Sequence, residues 1–249
     1  MKRYWMIVRA LMLMHLRNRE VMFWNLAFPL LLLVIYGVVF GGQSVGGQNY
    51  MTWVMPGVIV LNALAFGVVT SSSMMVSMRE QGILRRLQAT PLPAGQLLAA
   101  YVTINVLLSL IQAAVVVLAC VVLFKVTLTA ESVLLAAPAI VAGVLVFNAI
   151  GQIVAGIAPK AGVAVIFGQV LYFSLMFVTD MVMPMSFMPK WIQSVAPYLP
   201  SYAVVQLVRS PFLDGAWNPN AATHLAVIAV YAAAAIVISA KLFRWEPRA

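Results

Sequence analysis

Catalysis and metal binding draw on His, Cys, Ser and carboxylate side chains gathered within a few ångströms, and the spacing of those residues here offers no such group. His15 and His224 are solitary, with no H-E-x-x-H pattern and no Cys or carboxylate at ligand spacing, so no metal site is expected. Ser71, Ser72 and Ser73 have no His or acid beside them, and no G-x-S-x-G is present; hydroxyls bonded within their own helix are the expected state. The single Cys120 lies in an apolar run, which rules out an internal disulfide and fits a buried structural thiol. No G-x-x-x-x-G-K-S/T phosphate loop occurs, so this chain cannot bind ATP in the P-loop manner and no cofactor of its own is expected. Energy for any active process must come from a partner.

The elements around these residues are read from where charge is missing. Val21 to Met78 contains no Asp, Glu, Lys or Arg, and further charge-free stretches run Leu87 to Phe124, Ser132 to Pro159 and Gly215 to Ala240. The composition is 64% hydrophobic and 8% charged, against about 25% charged in soluble proteins. A charge at the bilayer centre costs at least about 2.5 kcal/mol, so a chain that crosses lipid repeatedly confines its charges to the gaps. The 249 residues hold six spans and short connections, with no room for a soluble catalytic domain. The expected fold is one all-α membrane domain over residues 1–249. Its spans are Met22 to Phe40, Trp53 to Val76, Leu97 to Phe124, Val133 to Ile157, Ala161 to Met183 and Ala221 to Phe243. The first span is no cleavable signal, because it is too long and Gly41 to Gln48 lacks an A-x-A site. The glycine-rich first connection is expected to be a plain turn. The net charge of +9 does not point to nucleic acid, because the basic residues are dispersed between apolar segments.

Orientation follows from Lys and Arg in alternate gaps. Of the 15, only Lys125, Lys190 and Arg209 fall in the first, third and fifth connections. The rest lie in the N-terminal arm, the second and fourth connections and the C-terminal tail, which places both termini in the cytoplasm. In residues 1–20, Tyr4, Trp5, Val8, Leu11, Met12 and His15 group on one helical side, as in an interfacial helix, although a frayed basic tail also satisfies the topology rule. The fifth connection is broken by Pro184, Pro189, Pro197, Pro200, Pro211 and Pro219, with Trp191, Tyr198, Tyr202 and Trp217 interleaved. Two short helices, Lys190 to Ala196 and Ser201 to Arg209, are expected within an outer re-entrant hairpin over 184–212, with a loop lying flat as the alternative. In the second connection, residues 79–91, Ile83, Leu84 and Leu87 form an apolar ridge. Arg79, Glu80, Arg85 and Arg86 lie around it, and Pro91 and Pro93 stop the helix. Such a short amphipathic helix suits docking into a partner's groove, or simply joins two spans on the membrane surface.

At this point the chain resembles the permease subunits of ABC-2 type exporters. Their E-x-G-x-x-x-x-L-x-x-S/T-P stretch is matched by Glu80, Gly82, Leu87, Thr90 and Pro91, and their proline-punctuated outer run is matched from Met183-Pro184 through Met188-Pro189-Lys190-Trp191 to Pro200 and Arg209. The resemblance covers nearly the whole chain. It implies a half-transporter in the cytoplasmic (inner) membrane that pairs with a second permease and two separate ATP-binding cassette subunits, which would carry ATP and Mg. It implies that the helix from Arg79 to Pro91 (Arg79, Glu80, Gly82, Ile83, Leu84, Arg85, Arg86, Leu87, Thr90 and Pro91) couples to the ATPase. It also implies that the hairpin bearing Pro184, Pro189, Trp191, Pro200 and Arg209 closes the outer side. Among the polar and aromatic residues of the spans, it promotes Tyr36, Asn62, Phe66, Tyr172 and Phe177 as the substrate path. A span interior of Met, Phe and aliphatic side chains suits a hydrophobic or amphipathic cargo such as a drug, antibiotic or lipid; lipid-linked glycans belong to the same family. An ion-coupled secondary transporter is the rival. Its only intramembrane carboxylate would be Asp180, near the outer end of the fifth span, where an ordinary interfacial aspartate is expected.

Overall fold

The computed structural model describes residues 2–17, 19–45, 47–88 and 94–242. Helices dominate. The first, α1 (Lys2–Arg17), is followed by α2 (Arg19–Phe40) and a hairpin of two-residue strands, β1 (Ser44–Val45) and β2 (Gln48–Asn49). The turn expected here therefore has a fold of its own: Gly47 takes the positive φ that closes the hairpin, and the Asn49 side chain accepts a hydrogen bond from the Met51 amide at 2.8 Å, capping the next helix.

That helix is continuous from Tyr50 to Glu80 and has three parts: α3 (Tyr50–Leu64), a π-helical segment (Ala65–Thr70) and α4 (Ser71–Glu80). A π turn shifts the hydrogen-bond register by one and frees carbonyls. The serines just beyond it take them up, the Ser72 hydroxyl donating to the carbonyls of Val68 (2.6 Å) and Val69 (3.1 Å) and the Ser73 hydroxyl to Thr70 (3.1 Å). The helix-bonded state expected for Ser71, Ser72 and Ser73 is observed at the last two; the Ser71 hydroxyl instead accepts from Gln152 of another helix.

After the short α5 (Ile83–Gln88) come the long helices α6 (Ala94–Phe124), α7 (Ala130–Ile157) and α8 (Ala161–Val178). Helix α7 starts where the Thr129 hydroxyl accepts from the Ser132 amide at 3.2 Å, and stops just before Pro159. Helix α8 ends five residues short of the expected Met183: the chain turns extended at Thr179, whose hydroxyl folds back onto the Leu175 carbonyl at 2.6 Å. The prolines then cut the chain into α9 (Lys190–Val195) and α10 (Pro200–Asp214), before α11 (Ala221–Leu242) completes the bundle.

Among the described residues five helices are long and apolar enough to cross a membrane, Tyr50–Glu80, Ala99–Phe124, Ala130–Ile157, Ala161–Val178 and Ala221–Leu242. The first expected span corresponds to α2, whose apolar stretch, Leu26–Phe40, is shorter than those five. Helix α3 is the core, buried on nearly every side between α2, α6, α7 and α10. Helices α8 and α11 bury one narrow stripe each and turn Phe167, Val170, Phe177, Val230 and Ile236 outward, as helices facing lipid do. Where the π segment meets α7, Gly151 lies against the Gly67 carbonyl so closely that any side chain would collide with backbone. That contact locks the middle of the bundle. Cys120 is fully buried, as expected.

Candidate functional site

Three regions hold the residues singled out above. The first is the joint between α4 and α5. Helix α4 ends as the Gln81 amide bonds the Ser77 carbonyl at 3.0 Å, and Gly82, at φ 68°, turns the chain through the left-handed region into α5. Glu80 and Arg86 are exposed at this joint, with Gly82 and Ile83 half-buried. Leu84 points the other way, buried in a cluster with Val8, Leu11, Met78, Tyr101 and Ala155. The apolar ridge of this helix thus packs partly on its own chain, instead of being wholly presented to a partner.

Arg79 departs from the surface position expected of it. It is 5% exposed and reaches the end of α7, where its guanidinium donates to the carbonyls of Ala155 at 3.2 Å and Ala158. Ala155 lies in the last turn of α7 and Ala158 is the residue just past its end, so the guanidinium sits at carbonyls without helical donors, by the negative end of the helix dipole. The α5 joint is thereby fastened to α7. The side chains of Arg85 and Leu87, and residues Thr90 and Pro91, lie outside the described parts of the structure.

Helix α1 packs along the start of α6. The Tyr4 hydroxyl lies 2.6 Å from that of Thr103, and Val8, Leu11 and His15 are buried in the i, i+3, i+7 order of one stripe. Trp5 falls off that stripe and is exposed, unlike the grouping expected. His15 sits 6.2 Å from the Phe66 ring, and burial pushes its imidazole below the usual range.

The second region is a cavity of about 310 Å³ between α2, the core helix and α8. Asn62, Ala65 and Thr70 line it from the core helix, Phe28 from α2, and Gln169 and Tyr172 from α8. Two of the five path candidates, Asn62 and Tyr172, meet here. The other three do not: Phe66 faces α1, Tyr36 stacks with Phe40 and Tyr50 at 6.3 and 6.4 Å between centroids, and Phe177 is 63% exposed on the outside of α8. Phe28 and Thr70 escaped the sequence reading. Helical spacing groups Asn62, Ala65 and Val69 on one side and Gln169, Tyr172 and Phe173 on the other, but it marks neither Phe28 nor Thr70. Elsewhere the buried amides bridge helices. Asn105 donates to Asn148 at 2.6 Å, and Gln152 donates to the Ser71 hydroxyl at 3.0 Å. A wider cavity of about 560 Å³, between α6, α7 and α11, has Asn148 and Gln152 in its wall.

The third region is the end of the bundle opposite α5. Pro184 is half-buried, Pro189 and Trp191 are exposed, and Pro200 is buried at the start of α10. Helix α9 buries nothing, whereas α10 buries most of its length against α3, α7 and α11. It runs to Asp214, five residues past the expected Arg209, and ends at Gly215 in the left-handed conformation. Arg209 is 3% exposed. Its guanidinium donates from Nη1 to Asp180 Oδ2 (2.6 Å), from Nη2 to the Asp180 carbonyl (2.6 Å) and from Nε to the Trp53 carbonyl (3.2 Å), and stacks 4.1 Å over the Trp53 ring. The interfacial aspartate expected at 180 is instead a buried partner in an ion pair. The sequence reading missed it, because the charge count treats Asp180 and Arg209 as independent surface groups.

The sequence profile described as ABC-2 type transporter matches this chain over residues 2–213. The chain belongs to the ABC-2 type transporter family. It is 25% identical over 203 residues to YvfS of Bacillus subtilis (strain 168), a protein assigned as a transport permease, covering 82% of this chain and 79% of that one. It is also similar to Nodulation protein J of Bradyrhizobium diazoefficiens, 34% identical over 113 residues, and to that of Rhizobium leguminosarum bv. viciae, 26% identical over 113 residues. Each of those matches covers 45% of this chain and 43% of the relative. An ABC-2 permease is a transport component of the membrane, not a catalyst, and its several long apolar helices make this chain a multi-pass membrane protein.

Proposed function

We propose that this chain is the membrane half of an ATP-driven exporter, paired with a second permease of the same or another kind and powered by two ATP-binding cassette subunits that hold the nucleotide and Mg. The observation that carries this reading is the α4–α5 joint. Its exposed Glu80 and Arg86 are available to a partner, while Leu84 and Arg79 tie the same joint to the bundle and to the end of α7. Force applied at α5 is passed to two long helices at once. Helix α2 serves as the sixth span: its 22 residues reach about 33 Å at 1.5 Å per residue, and six crossings return both basic termini to the cytoplasmic side. In that frame α10 is the protein-buried arm of an outer re-entrant hairpin and α1 lies along the inner headgroups.

The cavity holding Asn62 and Tyr172 is the proposed cargo surface, and its aromatic and aliphatic wall with a few amide and hydroxyl groups suits a hydrophobic or amphipathic molecule such as a drug, antibiotic or lipid. An ion-coupled carrier would need a carboxylate free to exchange its ion, and Asp180 is tied to Arg209 instead. The test is transport by the assembled complex in vesicles. Glu80→Ala and Leu87→Asp are expected to abolish ATP-dependent cargo movement while the protein still reaches the membrane. Normal transport in both variants, or movement driven by a pH gradient without nucleotide, would reject the reading.

A further inference from the structure

We propose that Asp180 is a positioning residue that latches α10 to the core at the end of the bundle opposite α5, and that separating it from Arg209 frees α10 to move. The Asp180 carboxylate takes both its donors from α10. Its Oδ2 accepts from Arg209 at 2.6 Å and from Gln206, one turn earlier, at 2.9 Å. Its other oxygen, Oδ1, is buried and accepts no hydrogen bond among the described residues. Arg209 meanwhile spends its third nitrogen on the Trp53 carbonyl of α3 and its flat face on the Trp53 ring. One guanidinium therefore joins three pieces of chain: α10, the turn after α8, and the start of the core helix.

The surroundings extend the latch. Trp53 stacks on Tyr50 at 6.0 Å and Tyr50 on Tyr36 at 6.4 Å, while the Tyr50 hydroxyl donates to the Val182 carbonyl at 3.4 Å. Gly57 lets the Met181 carbonyl press directly on the α3 backbone, where a methyl would collide. The turn carrying Asp180 is thus fixed to α3 by backbone contact and does not depend on the ion pair. Among the described residues α10 shows no such backbone-to-backbone contact with α3: it meets α3, α7 and α11 through its own apolar side chains, Val204 and Leu207 among them, a kind of surface along which helices can shift. A buried ion pair contributes little net stability over a well-packed apolar pair, yet is costly to leave half made, so it favours two discrete positions, closed and fully separated, over a continuum.

The inference rests on the exporter reading above, in which α10 belongs to the outer hairpin, but the labelling needs neither cargo nor nucleotide. A cysteine replaces Val205, which is fully buried on α10, in the whole chain expressed with its partner subunits. Labelling by an impermeant thiol reagent applied outside intact cells is followed by peptide mass spectrometry, with the native buried Cys120 as internal control. In the Asp180→Leu/Arg209→Met pair, position 205 should label at least about tenfold faster while Cys120 stays protected, because an apolar pair of similar overall stability can part by small steps without leaving a charge unpaired. The reversed pair, Asp180→Arg/Arg209→Asp, should restore slow labelling to within about threefold. Should the apolar pair fail to fold, Gln206→Leu decides in its place: faster labelling at 205 with an unchanged Tm supports the latch. Labelling at the native rate, or equal acceleration at 205 and Cys120, overturns it. If the latch variants open but transport needs no nucleotide, the exporter reading fails alone. If Glu80→Ala uncouples transport but 205 never opens, the latch fails alone.

Discussion

Two arginines lie buried at opposite ends of this bundle, and their settings differ. At the α5 end, Arg79 donates to the terminal carbonyls of α7, a fixed array of backbone dipoles that belongs to one helix. At the far end, Arg209 faces a full carboxylate on a separate turn and also grips α3. The first arrangement holds α4 against the end of α7 through hydrogen bonds to neutral carbonyls. A carboxylate on another segment can part from its arginine, so the second makes a joint that has two states. Both are costly in lipid, and both occur where chain segments must be held at a defined angle.

The comparison is broken most forcefully by Arg209→Met, which strands the Asp180 carboxylate and should cost about 3–5 kcal/mol, read as a large fall in Tm in detergent or lipid. Replacing Asp180 with Leu in the same molecule should recover most of that loss, which no purely steric account of position 209 expects. Arg79→Met should cost less, about 1.5–3 kcal/mol, the scale of hydrogen bonds from a charged donor to the Ala155 and Ala158 carbonyls. Its signature should be looser protection from hydrogen exchange at the end of α7. A smaller effect is expected from acid. Burial holds the His15 imidazole below its usual 6.5, so the folded protein resists a proton that the unfolded chain accepts. Stability should be constant above that value and fall as pH drops through it, and His15→Phe should flatten a Tm series taken between about pH 7.5 and pH 5.5. Least of all should change in Glu80→Ala, where the exposed carboxylate leaves stability within about 0.5 kcal/mol, even though ATP-dependent transport is lost.

Much of the fold was legible from the spacing of charge. Charge-free runs mark the long helices because lipid penalises charge wherever it falls, and the prolines between 184 and 219 mark the break before α11 because proline cannot continue a helix. The hairpin at 44–49 was missed because two-residue strands leave no periodic pattern, only a glycine and a capping Asn. The inward turn of Arg79 and Arg209 was illegible for a different reason. Their partners lie 76 and 29 residues away in sequence, and a count of basic residues per gap assigns every Arg to water. Of the five residues the resemblance promoted for a substrate path, Asn62 and Tyr172 face one cavity while Tyr36, Phe66 and Phe177 point elsewhere, because they were chosen by span and not by helical side.

The wide turn between Leu64 and Ser71 has a geometric outcome of its own. Each residue of an α-helix advances the chain by about 100° of azimuth, and a π segment absorbs roughly one residue more than an α turn of the same rise. The compass bearing of Arg79 relative to Asn62 is therefore that of a regular helix one residue shorter. A chain shortened by one between Ala65 and Thr70 would close the wide turn into an ordinary one and keep the lower half aimed at α7, whereas the same surplus residue wound as plain α-helix would swing that half by about 100°.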